Sequence, residues 1–138
     1  MKTKIFVYGT LKSGHHNHRL LHGQEFIGQA ETCDLKVMHC TGIPFLHDYG
    51  GYYYNDKLCK GHHVTGEVYL VDKQALQMMD ALEGHPRWYR RNPIRLRAKQ
   101  SDNAMEYTRF MAEAYFMPPE KTKEGLPYFT KAGVRRTF

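Results

Sequence analysis

Residues 64–84 read VTGEVYLVDKQALQMMDALEG, and this stretch decides the fold. Its first eight residues, 64–71, are rich in β-branched and aromatic side chains and predict a strong strand. Gly66 inside it suggests a bulge. Asp72 then stands where a helix N-cap belongs, its carboxylate placed to accept from the first free backbone N–H groups. Ala75, Met78, Met79 and Leu82 recur at i, i+3, i+4 and i+7 and predict one buried helical face. Gly84 and Pro86 stop the helix.

Working outward, residues 4–8 predict a first strand buried on both sides. Residues 12–18 are a polar loop, and residues 17–22 a short helical turn ended by Gly23. Residues 26–41 carry strand-like material, with Leu35, Val37 and His39 on one face of an alternation. Gly42-Ile43-Pro44 signals a turn. The Gly- and Tyr-rich residues 48–61 read as a loop or an irregular hairpin. Residues 87–99 predict a strand in which basic residues alternate around Ile94 and Leu96. Residues 101–103 form a turn, and residues 105–117 a long last strand. Several strands with one principal helix make the class α+β: a small mixed β-barrel or curled sheet flanked by helices. The expected organisation is a single domain over residues 1–117, with residues 118–138 as an arm along the surface.

The chain has 138 residues, 41% of them hydrophobic, enough for one domain with a real core. Its formal charge of +6 favours anionic partners. Cys33, Cys40 and Cys59 are too few, and odd in number, for a disulfide framework, which points to a reducing compartment. No apolar run approaches the roughly 20 residues a spanning helix needs, and the apolar run after Lys4 is too short for a signal peptide. The expectation is a cytoplasmic domain with no membrane partner.

Two features carry chemistry. Tyr8-Gly9-Thr10-Leu11 runs straight off the first strand. A strand ending in a Gly-containing turn exposes consecutive backbone N–H groups, which form an anion cradle without a charged side chain. Gly9 permits the tight turn and a close ligand approach. Glu83 lies in the last turn of the predicted helix, where the negative end of the helix dipole disfavours a carboxylate. It also borders the buried face, near Trp88 and Tyr89, so its pKa should rise toward the range of a general acid/base. A solvated Glu83 offset by Arg87, Arg90 or Arg91 is the structural alternative.

Other groups have plainer readings. His15, His16, His18 and His22 cluster, as do Cys59, His62 and His63, yet no Cys-x-x-Cys or His-Glu-x-x-His spacing appears, so no metal is expected. The basic residues 87–99 with Trp88 and Tyr89, and Lys131, Arg135 and Arg136 in the tail, could track a nucleic-acid backbone. Their alternation equally describes the wet face of a strand, and nucleic acid is not the expected partner. No spacing selects a cysteine nucleophile. Glu67 suits a cross-strand ion pair or the cavity wall, and Asp80 a pair with Arg87 or Arg91.

The ordered set of motifs resembles the gamma-glutamylcyclotransferase-like family, and within it the gamma-glutamylamine cyclotransferase branch. The stretches that carry the resemblance are residues 6–12 (FVYGTLK), Asn17-His18-Arg19 with Leu21, Gly66-Glu67-Val68-Tyr69 with Val71, residues 80–84 (DALEG), then Pro86, Tyr89 and Arg91. They run from the first strand to Met117. Residues 48–63 and the tail after Met117 depart from the pattern. The resemblance implies a compact mixed barrel and a cavity floored by the turn at residues 8–11. It implies Glu83 as the acid/base and Tyr115 as an aromatic lining residue of the last strand. Tyr8, Gly9, Thr10 and Leu11 would hold a gamma-glutamyl substrate. The reaction would release 5-oxoproline and an amine, with no cofactor. A non-catalytic module that binds a small anion on the same fold is the alternative. The leaving amine and the oligomeric state are not legible.

Overall fold

The computed structural model describes residues 1–8, 18–40, 44–99 and 106–118. Five strands close a barrel: β1 (Thr3–Val7), β7 (Thr65–Val71), β2 (Glu25–Thr32), β8 (Arg90–Lys99) and β9 (Tyr107–Phe116), in that order around it. Neighbours are antiparallel except at the closure, where β1 meets β9 in parallel with Ile5 opposite Glu113. A 3-10 helix (His18–Leu21) precedes β2, and α1 (Lys73–Glu83) follows β7. The α+β mixed barrel expected from the sequence is the fold found.

Strand alternation divides the core into two layers. Phe6, Val68, Ile94, Leu96, Ala112, Ala114 and Phe116 fill the barrel. Ile5, Val7, Tyr69, Val71 and Tyr115 point outward, where Leu21 of the 3-10 helix and Ala75 and Met79 of α1 cover them. Residues 5–7 are therefore buried on both faces, as expected. Tyr115 consequently faces α1 rather than the barrel interior.

The helix is punctuated as its sequence predicts. Asp72 accepts from the Ala75 amide at 2.8 Å, and Gly84 adopts the left-handed conformation (φ 68°) that ends the helix. Its buried face is rotated from the expected one. Met78 and Leu82 are 49% and 46% exposed, whereas Ala75 and Met79 are buried and Leu76 packs against the outer layer. The barrel wall meets α1 along residues 75, 76 and 79. Continuing that line by one turn reaches Glu83, not Leu82.

Three other expectations need correction. Gly66 is not a bulge: it pairs in register with Ala30, and the irregularity lies in β2 between Phe26 and Gly28. A Cβ at Gly66 would stand 2.5 Å from the Val7 carbonyl and 2.8 Å from the Phe6 ring, so close packing is what demands glycine there. Leu35 does not share a face with Val37, being 38% exposed while Val37 is fully buried; β3 (Met38–Cys40) starts only afterwards. Finally, residues 48–61 contain a regular hairpin of β5 (Gly51–Tyr54) and β6 (Lys57–Lys60). Asn55 and Asp56 both take positive φ (49° and 62°), the pattern of a type I′ turn. β3 pairs with β4 (Pro44–Leu46), and the Gly42-Ile43 turn between them lies outside the described residues, as do residues 101–103.

β8 behaves as the alternation predicts. Ile94 and Leu96 point inward, and the outward arginines meet acids: Arg91 with Asp80 and Glu113, Arg95 with Asp34, Arg97 with Glu31. Among the described residues no helix is long and apolar enough to cross a membrane.

Candidate active site

Glu83 closes the last turn of α1 and is partly buried. Burial raises its pKa from 4.5 to about 7. Its charge is felt at three phenols, Tyr8, Tyr89 and Tyr115. Burial and the Glu83 charge push Tyr89 to about 12, and burial also raises Tyr8 and Tyr115. The phenols therefore stay protonated across the ordinary pH range. Among the described residues no cation forms an ion pair with Glu83: Arg91, one of the expected partners, is committed to Asp80 and Glu113.

Each element brings its group for a local reason. Tyr8 follows β1 and lies on the same side of the strand as Phe6, so its ring packs against the barrel interior. Its hydroxyl donates to the backbone carbonyl of Tyr115 and accepts from the Leu46 amide at 3.2 Å. Tyr8 thus ties the ends of β1, β4 and β9 together. Tyr89 sits in the turn after Gly84, its amide bonded to the Glu83 carbonyl at 3.1 Å. Trp88, the other neighbour expected for Glu83, is largely exposed.

Tyr115 donates from its hydroxyl to Asp80 Oδ1 at 2.6 Å. Asp80 is gripped by Arg91 through a two-point contact, Nε to Oδ1 at 2.9 Å and Nη2 to Oδ2 at 3.0 Å. The remaining Arg91 nitrogen, Nη1, reaches Glu113 Oε1 at 2.6 Å. The Arg91 backbone is held as well, its amide donating to His85 Nδ1 at 3.0 Å. Burial opposes ionisation of Asp80, but the Arg91 and Tyr115 hydrogen bonds prevail and hold its carboxyl below the usual range. Two carboxyls three residues apart on one helix are thus split: Asp80 is held ionised by a cation, and Glu83 titrates near neutrality.

Of the expected site residues, the structure brings together Glu83, Tyr8 and Tyr115. Gly9, Thr10 and Leu11 lie outside the described residues. Tyr89 and the Asp80–Arg91–Glu113 chain were not singled out for the site. The signal for them is the Tyr89-x-Arg91 spacing at the entry to β8. Glu67 is buried and accepts from Tyr69, two residues on in the same strand. His15 and His16 lie outside the described residues, and the His18 and His22 rings meet edge to face at 5.9 Å. Among the described residues no group of three or more His, Cys, Asp or Glu has the geometry to hold a metal.

A small mixed barrel with a half-buried carboxyl that pairs with no cation among the described residues, and whose charge reaches three phenols, suits acid/base chemistry on a small polar molecule. Comparison with known proteins narrows this class. The family described as gamma-glutamyl cyclotransferase, AIG2-like, matches residues 5–133, beyond Met117, where the resemblance read from the sequence stops. The gamma-glutamylaminecyclotransferase of Bos taurus is 35% identical over 132 residues, covering 90% of this chain and 71% of that protein. That of Rattus norvegicus is 36% identical over 108 residues, covering 72% and 67%. The crystal structure of an AIG2-like protein from Mus musculus aligns with a TM-score of 0.70 at 26% identity, over 99% of this chain and 88% of that one.

The chain belongs to the gamma-glutamyl cyclotransferase, AIG2-like family, and is an enzyme of the gamma-glutamylcyclotransferase type.

Proposed function

We propose that this enzyme cleaves a gamma-glutamyl amide by attack of the substrate's own α-amine on its side-chain carbonyl, releasing 5-oxoproline and a free amine. The observation that carries the proposal is Glu83: a half-buried carboxyl with a pKa near 7, its charge felt by nearby phenols, and without an ion pair to any cation among the described residues. The α-ammonium loses one proton to become the nucleophile; its nitrogen then forms the new C–N bond and loses a second proton, the old amide C–N bond breaks, and both protons end on the leaving amine, which departs as its ammonium. Glu83 relays these protons one at a time, a role worth typically 10²–10⁴-fold. Its ionised form is needed first, so activity rises with pH through about 7.

The nucleophile is tethered to its target, which supplies a large effective molarity. The protein must fold the glutamyl chain, move the proton and stabilise the oxyanion. We assign the anion-holding task to the backbone N–H groups of Gly9, Thr10 and Leu11, with Tyr8 and Tyr115 lining the site. This chemistry calls for no metal or organic cofactor, since the substrate carries its own nucleophile. The free thiols of Cys33 and Cys59 suit a reducing, cytoplasmic location.

The test is 5-oxoproline release from a panel of gamma-glutamyl compounds by the native protein and by Glu83→Gln. Release by the native protein alone supports the reading and identifies the leaving amine. Undiminished release by a folded Glu83→Gln removes Glu83 from the mechanism. No release across the panel, with both proteins folded, favours a module that binds a small anion without changing it.

A further inference from the structure

We infer that the open cavity between the end of β2 and the outer face of the β8–β9 ladder binds a small organic anion, its carboxylate or phosphate on Arg109 and its apolar body over Met111. Neither Glu83 nor any of the three phenols that feel its charge lines this cavity. The inference goes beyond the proposed reaction and does not depend on it.

The register of the last two strands creates a local shortage of negative charge. With Ile94 and Leu96 in the barrel, the outward positions put Arg95 opposite Met111 and Arg97 opposite Arg109. Like charges directly opposite each other repel. Arg97 is relieved, because its Nε donates to Glu31 Oε1 at 2.8 Å and its guanidinium lies over the Tyr107 ring at 4.5 Å. Arg95 is relieved by a fork onto Asp34, at 3.1 Å from Nε and 2.7 Å from Nη2. Arg109 forms no ion pair among the described residues. Three guanidinium groups therefore share two carboxylates, and the one left over lines the cavity.

The cavity has the size and mixed lining of a small-molecule site. Its volume is about 430 Å³, with Arg95 and Arg109 as the cations, Phe110 and Met111 as apolar wall, and Cys33 beside them. Met111 is 52% exposed, an apolar surface that the protein leaves uncovered. The β2 side is already fixed: the Cys33 amide donates to the Arg95 carbonyl at 3.0 Å, and the buried Thr32 hydroxyl donates to the Asp34 carbonyl at 2.7 Å. Little ordering is then left for a ligand to impose there. An anion gains the planar fork of Arg109, and an attached apolar group gains the Met111 surface. A nucleic-acid strand needs a row of free cations along its phosphates, which one unpaired arginine in a hollow does not provide.

Cys33, a free and partly exposed thiol in the cavity wall, is a built-in reporter, and Cys59 on β6 is a free thiol outside it. The experiment follows alkylation of both by iodoacetamide, resolved by peptide mass spectrometry. Phenyl phosphate, phenylacetate or uncharged benzyl alcohol is added at an ionic strength held constant with sodium chloride. At millimolar concentration at least one of the two anions should slow the Cys33 reaction saturably and leave Cys59 unchanged, while benzyl alcohol does neither. Protection by one anion alone identifies the head group the site takes. Arg109 is exposed, so Arg109→Gln leaves the core untouched. It should weaken the protection roughly tenfold or more, the loss expected for a hydrogen bond to a charged group. No protection by either anion, equal protection by benzyl alcohol, parallel slowing at Cys59, or undiminished protection in Arg109→Gln would each overturn the inference.

Discussion

Glu83→Gln should stabilise this enzyme in a pH-dependent way, and the size of the effect follows from the site. In the folded protein burial raises the Glu83 pKa from 4.5 to about 7. Each pKa unit corresponds to about 1.4 kcal/mol, so ionising Glu83 in the folded state costs about 3 kcal/mol more than in the unfolded chain. The folded pKa is the higher one, so between the two values the folded protein binds more protons. Stability is then fully present below the unfolded pKa and is lost as pH rises through the folded one. Glutamine keeps the shape and cannot ionise. Variant and native should therefore unfold at nearly the same denaturant concentration near pH 4, and the variant should be the more stable by about 3 kcal/mol near pH 8. Urea unfolding at a series of pH values reads this directly, with the slope of the transition checked for constancy. Two curves that run parallel across the range would refute the reasoning, because they would mean that Glu83 titrates alike in both states. Such a result would also remove the physical basis for its acid/base role.

Two further substitutions test the frame that holds the site. Gly66→Ala should lower stability by about 1–3 kcal/mol and Tm by several degrees, because the new methyl must displace either the Val7 carbonyl or the Phe6 ring; an unchanged thermal transition would contradict the close approach of β7 and β1. Gly84→Ala should cost about 1 kcal/mol or more, since it forces a left-handed residue (φ 68°) to carry a Cβ only 3.0 Å from Trp88 Cβ. It should also reduce turnover, because this residue ends the turn that aims Glu83; full activity with full stability would show that the turn tolerates the change.

Much of the fold was legible because local rules and the tertiary answer agree. The strand at residues 65–71, the cap at Asp72, the stop at Gly84 and the burial of residues 5–7 on both faces all follow from side-chain chemistry within a few positions. The hairpin at residues 51–60 reads from the sequence only as a loop or an irregular hairpin although Asn55-Asp56 marks its turn, because the tyrosines and glycines around it suggest loop as readily as strand. The helix face was misjudged because periodicity reveals that a helix is amphipathic but leaves its rotation free by one residue. Met78 and Leu82 fit the apolar period as well as Leu76 does, and only the barrel wall chooses between them.

By itself, then, the sequence determined the α+β class, the order of the barrel strands and the helix, the family resemblance and the candidacy of Glu83. These depend on spacing along the chain, which the chain states outright. Tertiary structure decided which groups surround Glu83 and in what state. Asp80 and Arg91 are eleven residues apart, and Asp80 and Tyr115 thirty-five. The sequence offered Arg91 to Asp80 and to Glu83 alike, and the register of β8 and β9 against the helix gives it to Asp80, so that among the described residues no cation pairs with Glu83. A carboxyl's pKa is set by what lies within a few ångströms of it, and folding alone brings those neighbours there.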